Sequence, residues 1–168
     1  MVGCEERPPQ GNLEDVDGVA NIPSQPITQT HYLKASNADA DDRFGVGGVL
    51  EGNAVTLSAD GTTLAVGATM EASGAAGPGS DQDDNTVYGA GAVYVFTRDG
   101  DQWSQQAYVK ASNPGLGDNF GYAIALNENG DTMAVSANFE SSSSTGIDSD
   151  GNIFVADSNN HRVRVVGV

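Results

Sequence analysis

The sequence predicts an all-β protein built from repeated units. Residues 32–45 read YLKASNADADDRFG, and residues 108–121 read YVKASNPGLGDNFG, 76 positions further along. A repeat at a fixed offset indicates copies of one supersecondary unit. The 22 glycines lie among Asp, Asn, Ser and Thr, which is typical of tight turns between short strands. No stretch keeps apolar residues at helical spacing over three turns.

Asp-Gly and Asn-Gly pairs predict where the hairpin turns lie. Each pair is flanked by short apolar stretches, as in LSADGTTLAVGA at 57–68 and LNENGDTMAVSA at 126–137. Such pairs tolerate positive φ and are a strong hairpin signal. The pairs are Asp60-Gly61, Asp99-Gly100, Asn129-Gly130 and Asp150-Gly151.

The two copies of the unit differ by an insertion. The phrase recurs at 76 residues, whereas the turn glycines Gly61 and Gly130 are 69 apart. The first copy therefore carries seven extra residues between Phe44 and Leu57. A third, shortened copy follows at Gly151, after a serine-rich run that is interpreted as a flexible loop.

The strand at 92–97, AVYVFT, predicts a sheet that is covered on both sides. Val93 and Val95 point to one face and Tyr94 and Phe96 to the other, so both faces carry apolar bulk.

Five further aromatic residues have expected positions. Phe44 and Phe120 are expected to insert between neighbouring sheets. Trp103 and Tyr108 are five apart, so simple alternation puts them on opposite faces of one strand. Tyr88 is a candidate contact residue on a loop, with core packing as the alternative.

Residues 27–138 resemble the FG-GAP repeat of integrin α-subunit heads and of many bacterial surface proteins. The shared stretches are Phe-Gly at 44–45 and 120–121, LAVGA at 64–68, MAVSA at 133–137 and GAGAVYVF at 89–96. The chain departs from that family at Thr69 and Asn138, where a proline is common.

Residues 147–166 resemble instead the second half of an NHL repeat, with an Asp-Gly-Asn turn and the signature Asn160-His161-Arg162. Both families imply four-stranded antiparallel blades of a β-propeller. Closed propellers have 4–8 blades, and 168 residues hold about two to three units of this kind. The propeller is therefore expected to be incomplete: a fragment, a truncated gene product, or a chain that assembles with others.

Four segments are expected. Residues 1–26 are polar and proline-rich and read as a disordered tether. Residues 27–140 form FG-GAP-like blades, residues 141–146 a Ser-rich linker, and residues 147–168 an NHL-like β-hairpin.

The net charge of the chain disfavours two classes of binding partner. With 7 Lys and Arg against 23 Asp and Glu, the net charge is −16, which disfavours nucleic acid and anionic membrane surfaces. An acidic surface fits an extracellular protein, a salt-rich habitat or cation binding. No apolar run approaches the ~20 residues of a transmembrane helix.

The single cysteine, Cys4, follows Met1-Val2-Gly3, which resembles the end of a bacterial lipoprotein signal. Cys4 is therefore a candidate lipidation site and lipid anchor. The basic and apolar regions of such a signal are missing before it, so a late gene start, trimming, or an incidental cysteine are the open explanations.

Oxygen-rich loops are candidate calcium sites, because Ca²⁺ takes six to eight oxygen ligands. The loop at 81–92 fails the EF-hand pattern, with Thr86 and Ala92 at its sixth and twelfth positions. Solvated turns are the alternative. The candidate ligands are Asp81, Asp83 and Asn85; Asn127, Asn129 and Asp131; and Asp148, Asp150 and Asn152.

No catalytic motif is recognisable. His31 and His161 lie beside no catalytic partner, and GxSxG, HExxH and P-loop patterns are absent from the sequence. The resemblance then implies a non-enzymatic extracellular or cell-surface binding or adhesion module, with protein or glycan ligands on its blade loops and a tendency to associate with itself or other blades. The alternative is an accessory fragment of a larger secreted enzyme.

Overall fold

The computed structural model describes residues 28–46 and 53–141, together with the backbone of Phe154–Asp157 and Val165–Gly167. Every helix or strand among these residues is a β-strand, which confirms the all-β prediction. The chain divides into two compact parts, residues 1–30 and residues 31–168, and the strands all belong to the second. Both copies of the sequence repeat lie in this second part, and below the first and second unit are these two copies.

The first sheet is an antiparallel meander of four strands. The strands are β1 (Val55–Leu57), β2 (Thr63–Ala68), β3 (Ala92–Asp99) and β4 (Gln102–Val109), and they lie in this order across the sheet. This is the four-stranded antiparallel blade that the sequence predicts. Its hairpin turns contain Gly61 and Gly100, both at positive φ, as the Asp-Gly pairs indicate.

The second sheet begins with the antiparallel pair β5 (Phe120–Leu126) and β6 (Thr132–Ala137), joined by the turn at Gly130. Two further strands pair with β6: β7 (Phe154–Asp157) runs parallel to it and β8 (Val165–Gly167) antiparallel. A parallel neighbour requires a crossover connection, which the repeat pattern does not predict. Most of the predicted hairpin at 147–168 lies outside the described residues.

Strand register shows that β5 and β6 are the second copies of β1 and β2. In both units the phenylalanine of the Phe-Gly pair faces the last alanine of the second strand, and the pairing then resumes further along. The equivalent pairs are Phe44 with Ala68 and Phe120 with Ala137, then Val55 with Val66 and Ile124 with Val135. The seven extra residues of the first copy therefore lie between Phe44 and Val55, as predicted.

Each sheet has two faces, which we name by their residues. The front of the first sheet carries Tyr94 and Phe96, and its back carries Val93 and Val95. The back packs on the front of the second sheet, which carries the equivalent apolar positions. The shared core contains Ala65, Val93, Val95, Val109, Ala111, Phe120, Ile124, Met133, Val135 and Ala137.

The two phenylalanines of the Phe-Gly pairs have different surroundings. Phe120 is fully buried between the sheets, which confirms its predicted position. Phe44 is half-buried on the front of the first sheet, where its ring meets Tyr94 and Phe96 edge-on, with centroids 5.5 and 6.3 Å away. The prediction that Phe44 inserts between two sheets is therefore wrong, because no second sheet of the described residues lies over this front.

The prediction that Trp103 and Tyr108 lie on opposite faces is wrong. The pairing of β3 with β4 shifts between Val95 and Phe96, so Gln106 is an extra residue in β4. This β-bulge reverses the alternation. Trp103 and Tyr108 therefore both pack on the front of the first sheet.

Glycines allow the two sheets to meet backbone to backbone. A Cβ on Gly67 would collide with the carbonyl oxygen of Gly121, and a Cβ on Gly91 would collide with the backbone of Phe120. Hydrogen bonds cross here from Phe120 N–H to the Ala90 carbonyl at 3.0 Å and from Asn119 N–H to the Gly89 carbonyl at 2.9 Å.

Candidate functional site

The loop before each Phe-Gly pair folds in the same way in both units. Three equivalent pairs of positions have positive φ: Asp41 and Gly117, Arg43 and Asn119, and Gly45 and Gly121. The Asp42 carboxylate accepts the Asp39 N–H at 2.9 Å, and the Asp118 carboxylate accepts the Gly115 N–H at 2.7 Å. Repetition in this detail indicates a scaffold element, since both copies position the Phe-Gly pair that follows in the same backbone conformation.

A buried ion pair lies at the end of the first sheet. Lys110 Nζ is 2.7 Å from Glu71 Oε2, and both side chains are buried. Glu71 also accepts the Ser73 N–H at 3.1 Å. Burial lowers the pKa of Lys110, and the hydrogen bond and charge of Glu71 oppose that shift. Burial, followed by the charge of Glu71, raises the pKa of the neighbouring Tyr108 hydroxyl.

Sequence reasoning missed this pair, although a signal exists. Glu71 and Glu140 recur at the 69-residue offset just beyond LAVGA and MAVSA, and Lys34 and Lys110 recur at 76. Glu140 is also buried and accepts a hydrogen bond from Asn113 Nδ2 at 3.1 Å. Recurrence at the two offsets therefore singles out Glu71 and Lys110, which form the ion pair, although their repeat equivalents are used differently: Lys34 is exposed and Glu140 bonds to Asn113.

A polar cavity of about 300 Å³ lies between the first KASN phrase, residues 32–37, and the acidic loop that joins β2 to β3. Hydroxyl, amide and carboxylate groups and one ammonium group border it. Its lining residues are Lys34, Ser36, Asn37, Ala38, Asp39, Gln82, Asp83 and Asn85.

Side-chain hydrogen bonds hold the cavity walls in place. Asn37 accepts the Tyr94 hydroxyl at 2.6 Å and donates to the Gln82 carbonyl at 2.7 Å. The Ser36 hydroxyl donates to the Gln82 side chain, and Asn85 Nδ2 donates to Asp39 Oδ2 at 2.8 Å. The wall made by the KASN phrase is thus joined to the acidic loop and to the centre of β3.

The predicted calcium ligands of the acidic loop separate into two groups. Asp83 and Asn85 border the cavity, whereas the Asp81 carboxylate accepts the Asp83 N–H at 3.0 Å within its own turn. The remaining acid of this loop, Asp84, accepts hydrogen bonds from Thr86 N–H at 3.0 Å and Gly74 N–H at 3.1 Å. A hydrogen bond from the Thr86 side chain, followed by these two backbone hydrogen bonds, lowers the pKa of Asp84 against the opposing effect of burial.

The turn between β5 and β6 brings its three predicted ligands together. Asn127 Nδ2 and Asn129 Nδ2 donate to the Asp131 carboxylate, each at 2.6 Å. Thr132 donates to it as well, at 3.0 Å. Hydrogen bonds from Asn127, Thr132 and Asn129 lower the pKa of Asp131. The turn therefore gathers oxygen-bearing side chains around one exposed carboxylate.

Four predicted site residues lie outside the described part of the chain: Cys4, Asp148, Asp150 and Asn152. His161 lies outside it as well, whereas His31 and the candidate contact residue Tyr88 are exposed. Among residues 28–46 and 53–141, no three His, Cys, Asp or Glu side chains cluster as metal ligands. In the described part of the chain, no helix has the length and apolar character needed to span a membrane.

Comparison with known proteins supports one part of the resemblance. Residues 143–166 match the NHL repeat family, which is a β-propeller-type repeat and is often found in protein-binding modules. The match overlaps β7 and the start of β8. No curated protein and no solved structure matches the chain.

Proposed function

We propose that this chain is a non-enzymatic binding module of the extracellular space or cell surface, built on FG-GAP-like propeller blades. The polar cavity beside the first KASN phrase is its ligand site. The observation that carries the proposal is the contrast between a repeated scaffold and the cavity loop, for which the described part of the second unit holds no counterpart. Rigid scaffolds that carry variable loops are a common arrangement for binding.

The lining favours a polar ligand. Most small-molecule pockets are largely apolar, whereas here Lys34 supplies a cation, Asp39 and Asp83 supply carboxylates, and Ser36 and Asn85 supply neutral donors and acceptors. Paired hydroxyl groups of a sugar, or the backbone of an extended peptide, match such a mixture of donors and acceptors. We propose a glycan or polar peptide as the ligand class.

A printed glycan array probed with fluorescently labelled protein tests the glycan arm, and a peptide-display library in the same format tests the peptide arm. Binding to any hit should weaken at least tenfold in Lys34→Ala and Asp83→Ala, measured by calorimetry. Asp99→Ala, an exposed acid at the far end of β3, is the matched control and should bind like the wild type. If both cavity variants bind the hits as tightly as the wild type does, the cavity is not the ligand site.

We further propose that calcium binds at the turn between β5 and β6, with ligands from Asn127, Asn129 and Asp131. Binding requires both amide groups to turn their oxygens toward the cation, since their nitrogens now donate to Asp131. The wild type should melt at a higher temperature in CaCl₂ than in EGTA, and Asp131→Ala should melt at the same temperature in both. Equal melting temperatures of the wild type in CaCl₂ and EGTA would contradict the proposed calcium site.

Surface attachment through Cys4 is the last part of the proposal, and it rests on the resemblance of MVGC to a lipoprotein signal end. The test is expression of the gene with its upstream DNA in a bacterium fed an alkyne-labelled fatty acid. Label should enter the wild type and be lost in Cys4→Ser. Equal labelling of both, or none in either, would contradict lipidation.

A further inference from the structure

The two units differ in how much of their front is covered. In the second unit, Ile124 on β5 is 5 % exposed because the first sheet lies over it. The equivalent residue of the first unit, Val55 on β1, is 43 % exposed, and Leu57 beside it is 54 % exposed. The same apolar positions are thus core in one unit and surface in the other.

The backs show the opposite difference. Ala65 on β2 is fully buried against the second sheet. Its equivalent on β6, Ala134, is only half-buried, and Ala125, which pairs with Ala134 across the second sheet, is exposed. The back of the second sheet thus leaves open the small residues that the first sheet buries.

The first KASN phrase covers only the outer part of the front of the first sheet. Leu33 and Ala35 pack there with Tyr94 and Tyr108. Their repeat equivalents, Val109 at the end of β4 and Ala111 just beyond it, belong to the core shared with the second sheet. The phrase therefore takes the place of an outer strand, and among the described residues no strand lies over the inner part of the front, at β1.

We propose that a second copy of this chain fills that place, with the back of its β5 and β6 lying on the exposed front of β1. The interface would repeat the contact that the first sheet already makes with the second within one chain. Front meets back, so the contact is head-to-tail. A dimer formed in this way keeps a free front at one end and a free back at the other. Such contacts extend into rings or filaments. The net charge of −16 opposes assembly, and salt should weaken that opposition.

Sedimentation velocity of the full chain over a hundredfold range of concentration tests the proposal. The mass should grow beyond a dimer as concentration rises, and it should grow further in 0.5 M than in 0.05 M NaCl. Leu57→Glu blocks the front and Ala125→Glu blocks the back, so either variant alone should remain a monomer. Leu116→Glu changes a leucine that is 78 % exposed in the loop before β5, outside both faces, and it should assemble like the wild type.

Mixing the two blocked variants separates head-to-tail contact from other modes. Each still has one intact face, so a one-to-one mixture should form a dimer and stop there. A wild type that stays monomeric at every concentration and salt would overturn the proposal. So would a front-to-front dimer, in which Ala125→Glu pairs normally and Leu57→Glu pairs with nothing. Melting curves of each variant establish that it is folded before its mass is interpreted.

Discussion

The two KASN phrases, residues 32–37 and 108–113, have almost the same sequence, but their tyrosines and lysines have opposite surroundings. Tyr32 is 80 % exposed, whereas Tyr108 is 2 % exposed. Lys34 is exposed and borders the polar cavity, whereas Lys110 is fully buried against Glu71. A repeated phrase does not by itself determine the burial of its residues.

The difference comes from the sheet to which each phrase is attached. The second phrase begins inside β4, which is paired with β3, so Tyr108 and Lys110 are positioned over Glu71. The first phrase is outside the described strands and is held by hydrogen bonds from the Ser36 N–H to the Gln105 side chain and from the Asn37 side chain to the Gln82 carbonyl. The tyrosine and the lysine are buried in the phrase that a paired strand holds, and they are exposed in the phrase outside the strands.

The largest expected effect on stability comes from replacing the buried lysine of the second phrase, compared with the exposed lysine of the first. Lys110→Met leaves the buried Glu71 carboxylate without its ion-pair partner and should cost about 3–5 kcal/mol of unfolding free energy. Lys34→Met changes an exposed side chain and should stay within about 0.5 kcal/mol. Urea unfolding measures both. Adding Glu71→Leu to Lys110→Met should recover part of the loss, and a double variant less stable than the single one would contradict this reading.

The phenylalanines extend the contrast to the apolar core. Phe120→Ala removes a fully buried ring from between the sheets and should cost about 3–5 kcal/mol. Phe44→Ala removes a half-buried ring from the front of the first sheet and should cost about 1 kcal/mol. Equal losses in thermal or urea unfolding would mean that the two rings have equivalent environments.

Gly67 and Ser136 are equivalent positions with different residues. Gly67→Ala should cost about 1–3 kcal/mol, because its Cβ would collide with the Gly121 backbone where the sheets meet. Ala in place of Ser136 tests the half-buried counterpart, and its cost should be about 1 kcal/mol, since one hydrogen bond to the Ala123 N–H is lost. If Gly67→Ala leaves the free energy of unfolding unchanged, the backbones of the two sheets do not approach each other closely at this position.

The smallest effect concerns Asp42 in the repeated loop. Burial, with the charges of Glu71, Asp39 and Asp41, raises the pKa of Asp42 above 3.8, against a hydrogen bond from Asp39. A raised folded-state pKa means that the stability linked to this proton is present below pH 3.8 and is lost as pH rises through the folded value. Asp42→Asn should therefore melt higher relative to wild type at pH 7 than at pH 3. An equal difference at both pH values would contradict the raised pKa.

The features of the fold that the sequence predicts are those that depend on neighbouring residues in the chain. Turn glycines, alternation in β3 and two repeat offsets were enough for the first sheet, its two apolar faces and the seven-residue insertion. The bulge at Gln106 was not predictable, because one extra residue in a strand leaves no mark in composition. The parallel pairing of β7 depends on long-range contacts that a repeat pattern does not encode.

The candidate site was less predictable than the fold. Their oxygen atoms make the acidic loops predictable candidates, and the structure places Asp83 and Asn85 beside the cavity. For the other wall, from Lys34 to Asp39, the sequence indicates only a repeated scaffold, since nothing local shows that it lies against the loop at 82–85. The Glu71 and Lys110 pair joins residues 39 positions apart, and it was visible only as recurrence at two offsets.

The central claim is that the two units share one core and unfold together. Amide hydrogen exchange by NMR, at a concentration where the protein is monomeric, tests it at the Phe120 N–H, which donates across the junction to the Ala90 carbonyl. The Phe120 amide should exchange only through global unfolding, with the same free energy as the amides of β3. A Phe120 amide that exchanges several kcal/mol more easily than β3 would show that the second unit opens on its own.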